Sequence, residues 1–180
     1  MLQITVPATE MWDERKEEFV YTKEQTLQLE HSLVSLSKWE SKWCKSFLVK
    51  DDKTDEELID YIKCMTITQN VKPEVYNCLT RENIRQVVEY IEAPMTATVF
   101  TDINKGKSSS ERVTAESIYY WMIALNIPFE CQKWHLNRLL TLIRFCEIKN
   151  SPQKKMSRRA IMQSNAARNA ARRKRLNSKG

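Results

Sequence analysis

Few side chains in this chain have the types and spacing that catalysis or metal binding requires. Among 180 residues there are only two histidines, His31 and His135. No two of the five cysteines are separated by the short gap that is typical of a zinc site. Each histidine could act as a ligand or a base, but a hydrogen-bonded structural role is more common for a lone histidine. We therefore predict no metal site and no catalytic histidine.

Gly106-Lys107-Ser108 has the order found at the end of a phosphate-binding loop. The full motif also needs a glycine at the position where Thr101 stands. The Ser- and Lys-rich composition of residues 102–111 instead predicts a flexible loop.

Several carboxylates fall in polar runs, where they are typical of solvated faces and helix caps rather than of an acid–base couple. They are Glu14, Glu17, Glu18, Asp51, Asp52, Glu56 and Glu57. The sequence therefore predicts no catalytic residue, no cofactor and no enzyme activity.

Two tryptophans, Trp39 and Trp43, lie four residues apart among lysines. This arrangement suits a surface on which nucleic-acid bases stack. The same spacing on a helix is more typical of core packing, with the lysines on the solvated flank. We predict the core arrangement.

The C-terminal part of the chain is strongly basic. Residues 151–180 carry ten Lys or Arg and no Asp or Glu, whereas residues 1–150 carry 19 basic and 23 acidic side chains. This change predicts a globular domain over 1–150 and a basic, Ala- and Arg-rich tail over 151–180. Ala and Arg favour helix and Ser157 is a candidate N-cap, so the tail is predicted to be a frayed helix.

The basic side chains of the tail form a candidate binding site for an acidic partner. Nucleic-acid phosphates are one such partner, bound with release of counterions. An acidic protein surface, including the chain's own net-acidic domain, is a second, and a solubilising role without a partner is a third. The tail residues assigned to this site are Lys154, Lys155, Arg158, Arg159, Arg168, Arg172, Arg173, Lys174 and Arg175.

The sequence predicts no association with membranes and no secretion. It has no apolar run long enough to span a bilayer, and its N-terminus lacks the features of a signal peptide. The tail has no aromatic or leucine face to insert into a membrane surface. The odd number and wide spacing of the cysteines favour reduced thiols in a cytosolic protein.

The fold class follows from the periodicity of apolar residues. Alternation over 2–6, ended by Pro7, and further short runs over 18–21 and 26–30 predict a small N-terminal antiparallel sheet. Only two glycines occur, which disfavours nucleotide-binding α/β folds and all-β folds. We therefore predict an α+β domain that is predominantly helical.

Helices are predicted wherever the apolar spacing changes to three and four. The first covers 33–45, and the next follows a capping box at Thr54 with Leu58, Tyr61, Ile62 and Met65 on one face. A short helical turn is predicted from Pro73 through Leu79, followed by a helix after Thr80 that buries Ile84, Val87, Val88 and Ile91. Residues 96–100 are predicted to form a strand or an extended link. A helix after Thr114 is predicted to end before Pro128, and a last helix is predicted over 129–147.

Three segments of the body have distinctive sequences. They read LEHSLVSLSKWESKW over 29–43, IEAPMTAT over 91–98 and IYYWMIALNIPFECQKWHLNRLL over 118–140, and the chain then closes on NAARRKRL over 169–176. Together they resemble the tail assembly chaperones of long-tailed, siphovirus-like bacteriophages.

The resemblance implies a non-enzymatic assembly factor. Such chaperones bind the long helical tape measure protein and help to recruit tail tube subunits around it. The family implies no catalytic residues, and it implies action in the cytoplasm of the host cell. Self-association and presence in the virion stay open.

A chaperone for a long helix needs an apolar groove. The faces of the last two predicted helices of the body are candidates, and the alternative is that both faces are core. The groove residues are Trp121, Met122, Leu125, Leu136 and Leu140. The rival function is a nucleic-acid-binding virion or packaging component whose basic tail contacts phosphates.

Overall fold

The computed structural model describes residues 1–13, 17–49, 53–100, 112–150 and 158–176. The chain divides into two compact units, Met1–Glu147 and Ile148–Gly180. Strands at the N-terminus of the first unit are followed by helices, so the fold is α+β and predominantly helical, as predicted.

The strands of the described residues pair in two antiparallel ladders. β1 (Leu2–Val6) pairs with β4 (Gln25–Leu29), and β2 (Thr9–Asp13) pairs with β3 (Glu18–Thr22). Pro7 follows β1 and ends that ladder, because proline has no amide hydrogen to donate.

The buried face of the β1–β4 pair consists of the alternating apolar residues from which these strands are predicted. Ile4, Val6, Leu27 and Leu29 are all buried, and Ile4 lies opposite Leu27 in the register. Strand β2 was missed from the sequence, because its run TEMWD has no apolar alternation of its own and forms a strand by pairing with β3.

Seven α-helices and one 3-10 helix are present in the described part of the chain. The α-helices are α1 Leu33–Trp43, α2 Asp55–Met65, α3 Pro73–Asn77, α4 Arg81–Glu92, α5 Ala115–Ala124, α6 Leu136–Asn150 and α7 Arg158–Leu176. The 3-10 helix covers Phe129–Lys133.

The helix N-termini are fixed by hydroxyl caps, as the sequence predicts. Thr54 Oγ1 accepts from the backbone N–H of Glu57, and the Glu57 side chain accepts from the Thr54 N–H at 3.0 Å. Thr80 makes the same reciprocal pair with Asn83. Each box satisfies amides that the first helical turn leaves unpaired.

The buried face of α4 differs from the predicted one. Val87 is fully buried as predicted, but Val88 is 37% exposed. Asn83 and Tyr90 take the remaining buried positions, because the stripe at 83, 87 and 90 follows the helical repeat while Val88 lies beside it.

The last helix of the body begins later than predicted. Residues 129–133 form a 3-10 helix, Trp134 is extended, and α6 starts only at Leu136. The break lets His135 form an isolated β-bridge with Ser32, and the Leu136 N–H donates to the His31 carbonyl at 2.7 Å. Non-local pairing therefore overrides helix continuity at this point.

Two predicted loop regions have different outcomes. Residues 96–100, for which strand and link were both open, contain no strand. The predicted loop over 102–111, with Gly106-Lys107-Ser108, lies outside the described residues.

Candidate functional sites

The buried ionisable side chains lie mainly around α1 and α2. Lys42 pairs with Asp60 and Lys45 pairs with Glu57, joining the two helices. Hydrogen bonds from Lys45 and from the Thr54 amide lower the pKa of Glu57. Burial acts to raise the pKa of Asp60, but hydrogen bonds from Lys42 and the Trp43 indole lower it overall. Both carboxylates are therefore held as anions and are poor proton donors.

The tryptophan pair belongs to this same structural cluster. Trp39 is buried and donates its indole N–H to the Glu57 carbonyl at 2.9 Å, which confirms the core prediction for this residue. Trp43 is half-buried, stacks on Trp39 with ring centroids 6.0 Å apart, and donates to Asp60. The pair is committed to internal contacts rather than presented for base stacking.

The Glu40 side chain connects α1 to the segment that follows it and to the start of α5. One of its carboxylate oxygens accepts from the Phe47 N–H at 2.9 Å and the other accepts from the Ala115 N–H at 2.7 Å. It thereby supplies an acceptor for the first amide of α5, where the helix dipole favours a negative charge. No local sequence signal indicates this role of Glu40, because its partners are 7 and 75 residues away.

The two histidines meet in the core. Their ring centroids are 5.1 Å apart, and His31 Nδ1 lies 2.6 Å from the Tyr61 hydroxyl. His135 Nδ1 accepts from the Asn137 N–H, so its Nε2–H donates to the Tyr90 carbonyl at 2.9 Å. Both are buried and hydrogen-bonded, as predicted for structural histidines.

Both histidines are neutral. Burial, and then the neighbouring His135, lower the pKa of His31 to about 3. Burial also lowers the pKa of His135, against the hydrogen bond to Tyr90. Neither ring reaches solvent, so the pair is part of the packing between β4, α2, α4 and α6.

The thiols and carboxylates form no metal site in the described residues: no group of three or more His, Cys, Asp or Glu is close enough to hold an ion. None of the five cysteines, all of which lie in the described residues, forms a disulfide. Burial raises the pKa of Cys64 and of Cys131, which keeps these thiols protonated.

The predicted apolar groove divides into two classes of residue. Met122 and Leu136 are fully buried core residues, so they do not line a surface groove. Trp121, Leu125 and Leu140 are half-buried and pack against that core. Of the two alternatives given for these faces, core packing holds for their centre, which α5 and α6 direct inward.

A different apolar surface lies on the outer side of α5 and was missed from the sequence. Tyr120 is 67% exposed and Ile123 is 61% exposed, one helical turn apart. Phe129 is 53% exposed, and its ring lies 6.4 Å from that of Tyr119. We call the exposed pair Tyr120 and Ile123 the α5 surface. The signal was the near-continuous apolar run IYYWMIA, which is too apolar for a helix with one buried face.

The basic tail is helical over α7, in accord with the predicted basic helical tail. Arg159, Arg168, Arg172, Arg173, Lys174 and Arg175 are all exposed. Arg158 begins the helix, and Lys154, Lys155 and the predicted cap Ser157 lie outside the described residues.

No protein-family model matches this chain, and no curated protein or solved structure matches it either. Among the described helices, none is long and apolar enough to cross a membrane.

Proposed function

We propose that this chain is a non-enzymatic assembly factor for the tail of a long-tailed bacteriophage, acting in the host cytoplasm. It binds the tape measure protein, tail tube proteins or both. The resemblance of residues 29–43, 91–98 and 118–140 to tail assembly chaperones suggests this role, and the exposed α5 surface is the observation that carries it.

The three segments that carry the resemblance meet in the first unit. His31 of the first segment contacts His135 of the third, and Asn137 donates to the carbonyls of Ile91 and Ala93 at 2.9 and 2.8 Å. Most of their distinctive residues therefore build the fold. A binding role must come from the smaller set that remains exposed.

The α5 surface provides that set within the third segment. Large apolar side chains that cluster on a protein surface mark contacts with other proteins. Ile123 and Tyr120 are three residues apart on one helix, the spacing with which a helix contacts another helix. A long amphipathic helix, such as that of a tape measure protein, is a ligand of matching chemistry.

The ionisable groups of the first unit support a role without catalysis. In the described part of the chain, every fully buried side-chain nitrogen or oxygen has a hydrogen-bond partner. Glu40, Glu57, Asp60 and both histidines are used to hold helices and loops together. These contacts stabilise the fold.

Co-expression with the tape measure protein encoded by the same genome tests the proposal. We expect a soluble complex that co-purifies with this chain, since an assembly chaperone shields the apolar surface of its client. A tape measure protein that stays insoluble, or that purifies without this chain, would contradict the proposal. Tail tube protein is tested in the same way as the second client.

A further inference from the structure

Helix α7 has two chemically different sides. Asn165, Arg168, Asn169, Arg172 and Arg175 recur at three- and four-residue spacing and therefore share one side of the helix. By the same helical repeat Arg159 and Lys174 project from the other side, and Arg173 lies on the flank beside Asn169. We call the first set the Arg/Asn face.

The Arg/Asn face combines two kinds of donor. The Cα atoms of Arg172 and Arg175 lie about 6 Å and about 10 Å along the axis from that of Arg168, from a rise of about 1.5 Å per residue. Guanidinium groups bind phosphates and guanine edges through paired hydrogen bonds. Asn165 precedes the first of these arginines and Asn169 lies between the first two, and an asparagine side chain can pair with the edge of adenine.

The rest of the helix suits a confined site. Ala166, Ala167, Ala170 and Ala171 have small side chains that keep the helix narrow and favour its formation. The major groove of B-form DNA is wide enough for an α-helix, whereas that of A-form RNA is too narrow for side chains to read. No acidic residue occurs anywhere in 151–180, so nothing in the tail repels phosphate.

We infer that α7 is a DNA-reading helix whose Arg/Asn face lies in the major groove of duplex DNA. Arg168, Arg172 and Arg175 contact phosphates and base edges, and Asn165 and Asn169 contact base edges. This activity is additional to the proposed binding of tail proteins and does not depend on it. Continuous basic helices are known to enter the major groove in this way.

Two double variants of the full chain test the orientation of the helix. R168A/R172A and the control R159A/K174A each remove two positive charges, from the Arg/Asn face and from the opposite side. Binding of a 20-bp duplex is measured by fluorescence anisotropy across a range of salt. Circular dichroism of each variant checks that the helix and the body are retained.

We expect the variant of the Arg/Asn face to lose at least tenfold more affinity than the control. Its slope of log binding constant against log salt should shrink by roughly 2, because each phosphate contact contributes about 0.9. Equal losses in the two variants would overturn the proposal, since binding would then depend on charge alone. Absence of duplex binding at about 50 mM salt would also overturn it.

Two further measurements address the groove and the bases. Single-stranded DNA and duplex RNA of the same length should bind at least tenfold more weakly than duplex DNA, and equal binding would overturn the assignment to the major groove. Selection from a randomised duplex pool should enrich a short motif with the parent chain but not with N165A/N169A. A pool without enrichment would overturn base reading by the asparagines.

Discussion

The Glu40 carboxylate accepts the backbone N–H of Ala115 at 2.7 Å, across 75 residues of sequence. Its other oxygen accepts the Phe47 N–H, so a single buried side chain fixes the end of α1 to the start of α5. Because α5 carries Tyr120 and Ile123, this contact also orients the surface that we propose for partner binding.

Replacing Glu40 by alanine should lower the free energy of unfolding by about 2–4 kcal/mol, because two buried amides lose their acceptor. Urea denaturation at pH 7.5 measures the change. Glu92→Ala, at an exposed position of α4, is the control and should stay within about 0.5 kcal/mol of the parent. A Glu40→Ala variant as stable as the parent would show that these amides do not depend on the carboxylate.

The corrected face of α4 makes a second prediction. Val87→Ala should lower the free energy of unfolding by about 2 kcal/mol, because it removes two buried methyl groups and leaves a cavity. Val88→Ala, one position along the same helix, should cost well under 1 kcal/mol because Val88 is 37% exposed. The same denaturation experiment compares the two variants, and equal costs would contradict the observed helix phase.

Local chemistry explains why much of the fold was predictable. The Thr54, Thr80 and Thr114 caps depend on residues three positions away, and β1 shows its buried face by simple alternation. The predicted start of α6 was wrong, because the observed start depends on contacts with His31 and Ser32, which are distant in sequence.

The candidate sites were harder to predict for the same reason. Met122 and Leu136 have the spacing of a groove, but that spacing cannot distinguish a core face from an accessible one. The spacing in α5 likewise does not show which of its sides is exposed. In the folded chain Ile118 and Met122 are buried, whereas Tyr120 and Ile123 are exposed.

The buried histidines predict a loss of stability on acidification. The folded-state pKa of His31 is about 3, below the usual value of 6.5, so the unfolded chain binds a proton that the folded chain does not. The contribution of His31 to the free energy of unfolding is therefore fully present above about pH 6.5. Between pH 7 and pH 5 the free energy of unfolding should fall by about 2 kcal/mol from His31 alone.

Urea denaturation at pH 7, 6 and 5 measures this dependence. The lowered pKa of His135 adds to the loss in the same pH range. A His31→Gln variant should be less stable at pH 7 but should show a flatter dependence on pH. An unchanged free energy of unfolding between pH 7 and pH 5 would mean that His31 is not held neutral in the folded chain.

The α5 surface should be needed for partner binding and not for folding. Ile123→Glu should leave the thermal unfolding temperature within a few degrees of the parent, because the side chain is 61% exposed. The matched control is Val88→Glu, an apolar-to-acidic change at a partly exposed position of a different helix, α4. Thermal denaturation followed by circular dichroism checks both variants.

The most direct test of the proposed function is the amount of tape measure protein recovered with each variant after co-expression. The parent chain and Val88→Glu should recover it in similar amounts, and Ile123→Glu should recover at least tenfold less. Equal recovery with Ile123→Glu would contradict binding through the α5 surface. Failure of the parent chain to recover any tape measure or tail tube protein would contradict a role as a tail assembly chaperone.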